Sequence, residues 1–514
     1  MRHRPLKTRS KWAWRSLGLH LQADLDYKGH VLNTHLLNLR SVNRVYDRRS
    51  FLKTACTTAA AAAIPAGWSA LAQTPASKGI EGFVTDPSRR HEAMPAISWD
   101  TGATATGGDE VVIDAARRYQ PVLGFGAAFT DASCLMFSSM LPENRQKLMT
   151  DLFSPQEMNL TVGRCCVGSS DYSRNVYSFD DTPGDVSLSH FSIEHDEAYI
   201  LPTLRDAAKL NRELFLLASP WSPPGWMKTN GSMLGGWMNA KFLEPYSRYL
   251  VQFVKDYAKS GVKINALTTQ NESETDQDGR MPACFWPAEM EKDFIRDHLG
   301  PLLKKESPET QIWLLDHNYD LWKRVKWQLQ DAELRKYVDG VAWHGYVGTP
   351  DMMTRMHEVA PDLPFYWTEG GPDLTDPHYA TDWSKWSQTM TEILENWCRC
   401  VISWNFILDE KGKPNIGPFP CGGLVTYHED GSVTQSGQYW AIRHFSQHIQ
   451  RGAVRVGSRS DATGLSHVAL HQPDGGFVAI LTNIGEERKV SLRTGSKSAS
   501  VTVPHDSIVT LKWS

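Results

Sequence analysis

Two of the apolar runs of this sequence that reach a glutamate place polar or aromatic partners beside it. LTTQNESETD, residues 267–276, closes a β-prone run with Asn271 and Glu272, and PFYWTEGG, residues 364–371, places Glu369 after Tyr, Trp and Thr. Either one alone is explained by a strand that runs out into a polar loop. Other apolar runs end the same way and bring Asp131, Asp171, Trp221, Asp316, His344, Tyr346 and Trp404 to comparable positions. Such a set suits acid/base work on a neutral, polyhydroxylated substrate. Cleaving a glycosidic bond takes one carboxylic acid to protonate the leaving oxygen and a second carboxylate to meet the oxocarbenium-like centre. Carboxyl groups about 5–5.5 Å apart give retention through a covalent intermediate, and a wider gap leaves room for water and inversion. Tryptophan adds a flat apolar face that can stack on a sugar ring, although most of the nineteen Trp read as core packing.

For these residues to meet, the elements that carry them must share one direction. Eight short apolar runs follow one another: VLGFGAAFTD (122–131), LTVGRCCVGSSDY (160–172), LFLLASPWSPPGW (214–226), INALTTQNE (264–272), QIWLLDHN (311–318), VDGVAWHGY (338–346), PFYWTEGG (364–371) and VISWNFILDE (401–410). Amphipathic stretches such as YSRYLVQFVKDYAK (246–259) separate them. Eight β-then-α units predict an α/β architecture, a (β/α)8 TIM barrel over residues 122–430. In a parallel barrel all carboxyl ends open on one face, so Asp131, Asp171, Trp221, Asn271, Glu272, Asp316, His344, Tyr346, Glu369 and Trp404 are expected around one substrate cavity. Each alone could equally be a satisfied polar group of the core. The tail, 431–514, alternates with period two on both sides of the turn Pro473-Asp474-Gly475-Gly476 and predicts an appended all-β sandwich. Strand-like residues 79–121 are expected to join it. GFGAAF, residues 124–129, lacks the third glycine and the partner acid of a dinucleotide fingerprint.

Residues 1–53 carry twelve Lys or Arg against three Asp, and residues 54–72 carry no charge. DRRSFLK (47–53), the Thr/Ala-rich run after it and the small-residue site Ala70-Leu71-Ala72 predict a twin-arginine export signal over 1–72, removed after Ala72. The expected location is therefore periplasmic or extracellular. The run is weakly apolar and broken by Pro65 and Gly67, so no integral membrane segment is expected in the mature chain. Losing the signal takes the formal charge from −4 to −13, a poor match for nucleic acid. The seven cysteines outside it include no C-x-x-C pair, which argues against a disulfide framework and a zinc ribbon. No HExxH, EF-hand or P-loop pattern occurs, so neither metal nor cofactor is expected. Nothing in the pattern sets an oligomeric state.

The motifs GFGAAFTDA, LLASPWSPPGWMKTNG, LTTQNES, YVDGVAWHGY and FYWTEGG, in that order, resemble glycoside hydrolase family 30, the bacterial relatives of glucosylceramidase. The resemblance covers residues 80–514 and implies a retaining β-glycosidase with Glu272 as general acid/base and Glu369 as nucleophile. It also implies that Asp131, Trp221 and Trp404 line the sugar subsite, that Asn271 bonds the 2-hydroxyl and that Tyr346 holds Glu369. Terminal β-glucosides, glucosylceramide-like glycolipids included, are the expected substrates. A β-xylosidase, an endo-β-1,6-glucanase and a non-catalytic carbohydrate-binding protein are the alternatives. Two positions depart from the family pattern: Ser273 stands where Pro usually follows the acid/base, and Gly345 where an aromatic residue is common. An acid at Glu272 is expected to rest protonated in a partly desolvated site near Glu369, with Glu274 out in solvent. Side chains on a regular strand alternate faces, so Asn271 and Glu272 can serve together only through a bulge or a strong twist.

Overall fold

The structure is a computed structural model that describes residues 79–100 and 109–514. The expected export signal, 1–72, lies outside the described residues. Three strands precede the barrel: β1 (Glu81–Asp86), β2 (Arg89–Ala93) and β3 (Asp109–Pro121). The barrel follows as β4 (Gly124–Phe129), β5 (Val162–Cys166), β6 (Phe215–Ser219), β7 (Ala266–Thr268), β8 (Gln311–Asn318), β9 (Gly340–His344), β10 (Phe365–Glu369) and β11 (Cys398–Ser403). These eight close in sequence order, and every neighbouring pair is parallel. Seven strands fall inside the apolar runs expected to form them, and β11 begins three residues earlier than the expected 401. Gly126 is required where β4 meets β5, because a Cβ there would lie 1.7 Å from the Val162 carbonyl oxygen.

The barrel interior is layered by the two-residue period of its strands. Val162, Leu217, Ala266, Trp313, Ala342, Tyr366, Cys400 and Ile402 form a buried apolar layer, in which the Trp313 and Tyr366 rings stack at 3.6 Å. Two residues further along the same strands stand Arg164, Ser219, Thr268, His344, Thr368 and Trp404, all buried. The change from apolar to polar thus happens in one step, at the level where the site begins. Outer helices bury one face each. Leu243–Lys259 turns Tyr246, Tyr249, Leu250, Phe253, Val254 and Tyr257 inward at three- and one-residue intervals.

After β11 come three short strands, β12 (Ile407–Asp409), β13 (Val425–Tyr427) and β14 (Val433–Gln435), and a helix, Gly437–Ser446, capped by the Ser436 hydroxyl. That helix packs on the barrel, with Phe445 5.8 Å from Phe125. The boundary expected at 430/431 is therefore corrected: the barrel unit continues through this helix, because its apolar face has β4 to bury against. The sandwich strands are β15 (Val454–Arg459), β16 (Leu465–His471), β17 (Phe477–Asn483), β18 (Arg488–Thr494), β19 (Lys497–Val503) and β20 (Ser507–Trp513). They join β1–β3 in the order β19-β18-β3-β15-β16-β17-β20-β1-β2 around a core that includes Val84, Val111, Leu481, Val490, Leu492 and Leu511. Where this sheet meets the helix Gly437–Ser446, three histidines come together. His91 Nε2 lies 2.9 Å from His448 Nε2, and His444 bonds the Thr85 and Thr510 hydroxyls at 2.8 Å each. Among the described residues no helix is long and apolar enough to cross a membrane.

Candidate active site

Strand β8 departs from regular geometry just below the barrel mouth. Leu315 and Asp316 have φ of 80° and 50°, and the pairing with β9 slips between Leu315 and His317. This bulge lets the adjacent residues Asp316 and His317 both turn toward the mouth. Asp316 becomes a hub. Its Oδ2 accepts from Arg164 Nη2 at 2.8 Å and from the Ser219 and Thr268 hydroxyls at 2.7 Å, and its Oδ1 accepts from Thr368 at 2.7 Å and His344 Nε2 at 3.1 Å. Burial would raise its pKa, but the Arg164 charge and then His344 hold the carboxyl far below the usual range. Arg164 is fully buried. It also donates to Glu369 Oε2, to Asn271 Oδ1 at 2.6 Å and, through Nε, to the Ser219 hydroxyl at 3.1 Å. Sequence reading missed this residue. The signal was there: a lone charge in the middle of LTVGRCCVG, in step with the inward-facing Val162, has to be paired inside the barrel.

Glu369 ends β10 and is buried. Besides Arg164, it accepts from the Tyr346 hydroxyl at 3.1 Å. Glu272 follows β7 with φ of 54°, and its N–H donates to the Asp316 carbonyl at 2.9 Å. A left-handed residue, not a bulge, supplies the twist that brings Asn271 and Glu272 to the same pocket. Glu272 Oε2 accepts from Gln277 Nε2 at 2.7 Å, while Oε1 lies 3.3 Å from His344 Nδ1 and 3.7 Å from His317 Nδ1. His344 stands between the two glutamates, with its Nε2 4.0 Å from Glu369 Oε2.

The charge state differs from the sequence expectation. Burial would raise the pKa of Glu272, but His317, His344 and the Gln277 amide outweigh it and take it down to about 2. Burial would lower His344, yet Glu369, Asp316 and Glu272 hold it up at about 9. His317 is itself pushed down by burial. The balance of these groups favours the ionised Glu272 carboxylate and the charged His344 ring, against the expected resting proton on Glu272. Glu274, expected in solvent, is paired with Arg324 at 2.7 Å.

The other expected substrate contacts are less open than the sequence suggested. His344 is completely buried, with its Nδ1 3.3 Å from Glu272 Oε1. Asp131 opens the helix Asp131–Ser139 and accepts from the Tyr199 hydroxyl at 2.6 Å and the Arg174 N–H at 2.9 Å. Trp221 and Trp404, 1% and 2% exposed, stack on each other at 5.1 Å with the Arg164 guanidinium 4.6 Å over Trp221. Little of either ring is open to solvent. Tyr346, 47% exposed, is the expected contact whose ring is open. Asp171 Oδ1 is buried and has no hydrogen-bond partner among the described residues. Burial and the charges of Glu369 and Glu272 push its carboxyl well up. Gly345 has its own reason: a Cβ there would lie 2.8 Å from Trp367 Cζ2. Glu272, His317 and His344 also bring one potential metal-ligand atom each to within 4.8 Å of one another, a set drawn from three strand ends that no linear motif registers.

Residues 122–449 match the Glycosyl hydrolase family 30 TIM-barrel domain, and residues 452–511 match the family's beta sandwich domain. The chain belongs to glycoside hydrolase family 30. This family 30 hydrolase is 31% identical to the lysosomal acid glucosylceramidase of Mus musculus over 395 residues, 72% of this chain and 76% of that one. It is 32% identical to an endo-1,6-beta-D-glucanase of Neurospora crassa over 416 residues, 76% of this chain and 85% of that one. A solved endo-beta1,6-glucanase superposes with a TM-score of 0.78 and 25% identity, covering 85% of this chain and 99% of its own. The match at 122–449 agrees with the structural boundary beyond the helix Gly437–Ser446.

Proposed function

We propose that this family 30 hydrolase releases terminal β-glucose with retention, Glu369 attacking the anomeric carbon and Glu272 serving first as acid and then as base. The observation that carries the reading is the unequal treatment of the two glutamates around His344. Both oxygens of Glu369 accept hydrogen bonds, from Arg164 and Tyr346, which orients a carboxylate for attack. Glu272 faces a proton-bearing nitrogen across 3.3 Å, one hydrogen bond from the proton that a leaving oxygen needs. Asn271, with its Oδ1 held by Arg164, is left to meet the sugar through its amide N–H groups. The buried Asp171 Oδ1, without a partner among the described residues, is left to bond a sugar hydroxyl.

The roles separate by substitution. Glu369→Ala should abolish turnover, and added azide should return the glycosyl azide of inverted configuration. Glu272→Ala should slow substrates with poor leaving groups far more than dinitrophenyl glycosides, whose departure needs little protonation. Equal losses on both would sink the acid/base role. Glucose as the sugar rests on likeness to the murine glucosylceramidase, and glycolipid aglycones fall within that reading. Likeness to the Neurospora glucanase favours a second reading, endo action on β-1,6-glucan. Aryl β-glucoside, β-xyloside, glucosylceramide and a β-1,6-glucan assayed side by side decide between them, preference for the polymer overturning the first. Export by the twin-arginine route belongs to the same reading, and Arg48→Lys with Arg49→Lys should leave unprocessed precursor in the cytoplasm. Continued export of that variant would count against it.

A further inference from the structure

We propose that Glu272, His317 and His344 form a binding site for a divalent transition-metal ion, and that its occupation locks the Glu272 carboxylate and halts hydrolysis. The three side chains come from the ends of β7, β8 and β9, and their ligand atoms lie within 4.8 Å of one another. Glu272 Oε1 is 3.3 Å from His344 Nδ1 and 3.7 Å from His317 Nδ1. A tetrahedral zinc ion with ligands at about 2.0–2.1 Å sets those ligands about 3.3–3.4 Å apart. The two carboxylate–imidazole distances already approach that spacing, and only the imidazoles must close on each other.

Two further observations point to a ligand. The His317 side chain is 9% exposed, and its buried Nδ1 has no hydrogen-bond partner among the described residues. A buried ring nitrogen without a partner carries an unmet desolvation cost, which a metal bond removes. His344 has the complementary arrangement. Its Nε2 lies 3.1 Å from Asp316 Oδ1, so Nε2–H donates there, and a metal ion takes the Nδ1 position by displacing the proton that otherwise faces Glu272. A carboxylate behind a ligating histidine is the usual support of such a ligand. This one is immobile, since Arg164, Ser219, Thr268 and Thr368 all bond it. Backbone geometry aims the rest of the set: the bulge at Leu315–Asp316 turns His317, and φ of 54° turns Glu272.

Two imidazoles and one carboxylate suit zinc, copper, nickel or iron, whereas magnesium and calcium prefer all-oxygen shells. An ion bonded to Glu272 Oε1 would occupy the oxygen that must carry the proton. The locking rests on the reading of Glu272 as acid/base, while the binding does not.

The test uses the mature chain with Zn2+ in a non-coordinating buffer. Calorimetric titration should give one saturable site, with hydrolysis of aryl β-glucoside falling in step with its occupancy. Co2+ should show the visible bands of a site with mixed nitrogen and oxygen ligands. His317→Ala and His317→Gln, both checked for an unchanged melting temperature, should weaken Zn2+ by about tenfold or more, and so should Glu272→Gln. Mg2+ at millimolar concentration should neither bind nor inhibit. Direct binding reads the site whichever sugar the enzyme takes. The site is overturned if no saturable binding occurs, or if either His317 variant keeps the parent affinity. The locking is overturned if the zinc-saturated enzyme turns over at full rate.

Discussion

Acidification adds protons to three imidazoles at the seam between barrel and sandwich, and each addition costs stability. His91 stacks on Phe83 at 5.2 Å and on His448 at 5.1 Å, and meets His444 edge-on at 4.8 Å. The 2.9 Å contact between His91 Nε2 and His448 Nε2 can hold one proton, and a second would set two like charges against each other. The charged groups nearby add to the penalty: Arg443 acts on all three rings, and Lys512 acts on His448. Burial and then Arg443 lower His91 from 6.5 to about 4, and burial takes His444 and His448 well below the usual range. The folded state therefore favours the neutral rings, while the unfolded chain takes up protons first. Stability is complete above about pH 6.5 and is lost as the pH falls toward 4. For His91 alone, a difference of about 2.5 units corresponds to about 3 kcal/mol, with a slope approaching 1.4 kcal/mol per pH unit. The variant to compare is His91→Asn, since Asn does not titrate and tolerates the φ of 51° found at His91. Urea unfolding of both proteins through this window should show the wild type losing stability faster by about 1 kcal/mol per pH unit. Parallel stability–pH curves would refute the reasoning.

Arg164→Met should destabilise the fold by about 3–5 kcal/mol, because Asp316 and Glu369 are left as buried charges without their partner. Urea unfolding at neutral pH checks it, and a loss below about 1 kcal/mol would mean that the carboxylates find other donors. Tyr346→Phe removes the hydroxyl 3.1 Å from Glu369 Oε1 while keeping a ring that is already half-exposed. A hydrogen bond to a charged group is worth about 1.5–3 kcal/mol, so kcat should fall about ten- to a hundredfold with the melting temperature unchanged, and an unaltered kcat would remove Tyr346 from the site.

The strands of the barrel were legible because each is buried on both faces and reads as a short apolar run with a polar end. The start of β11 was not, since Arg399 breaks the run at its second residue. Glu272 and Glu369 were legible for the complementary reason: carboxylates are expensive at the ends of such runs unless they are used. Arg164 and His317 escaped in different ways. Arg164 lies inside a run whose apolar neighbours hide it, and the inward face of His317 depends on a bulge at Leu315 and Asp316, neither of which is a glycine that would announce it. The burial of Trp221 and Trp404 follows from their mutual stacking and the guanidinium over them, a contact between the ends of β5, β6 and β11 that no local pattern encodes. The domain boundary was placed too early because GQYWAIRHFS follows a turn-rich stretch and shows its allegiance only through the face it buries on the barrel.

Asp316 receives bonds from side chains on β5, β6, β7, β9 and β10, so five strands of the barrel are tethered to one carboxylate. Groups that hold Glu369 and Asn271 in place are thus carried by the rigid wall, whereas Tyr346, which bonds Glu369 from the other side, stands beyond the end of β9. Change can accumulate in the outer loops without retuning the reaction beneath. A single substitution at the tether, by contrast, would loosen five strands at once.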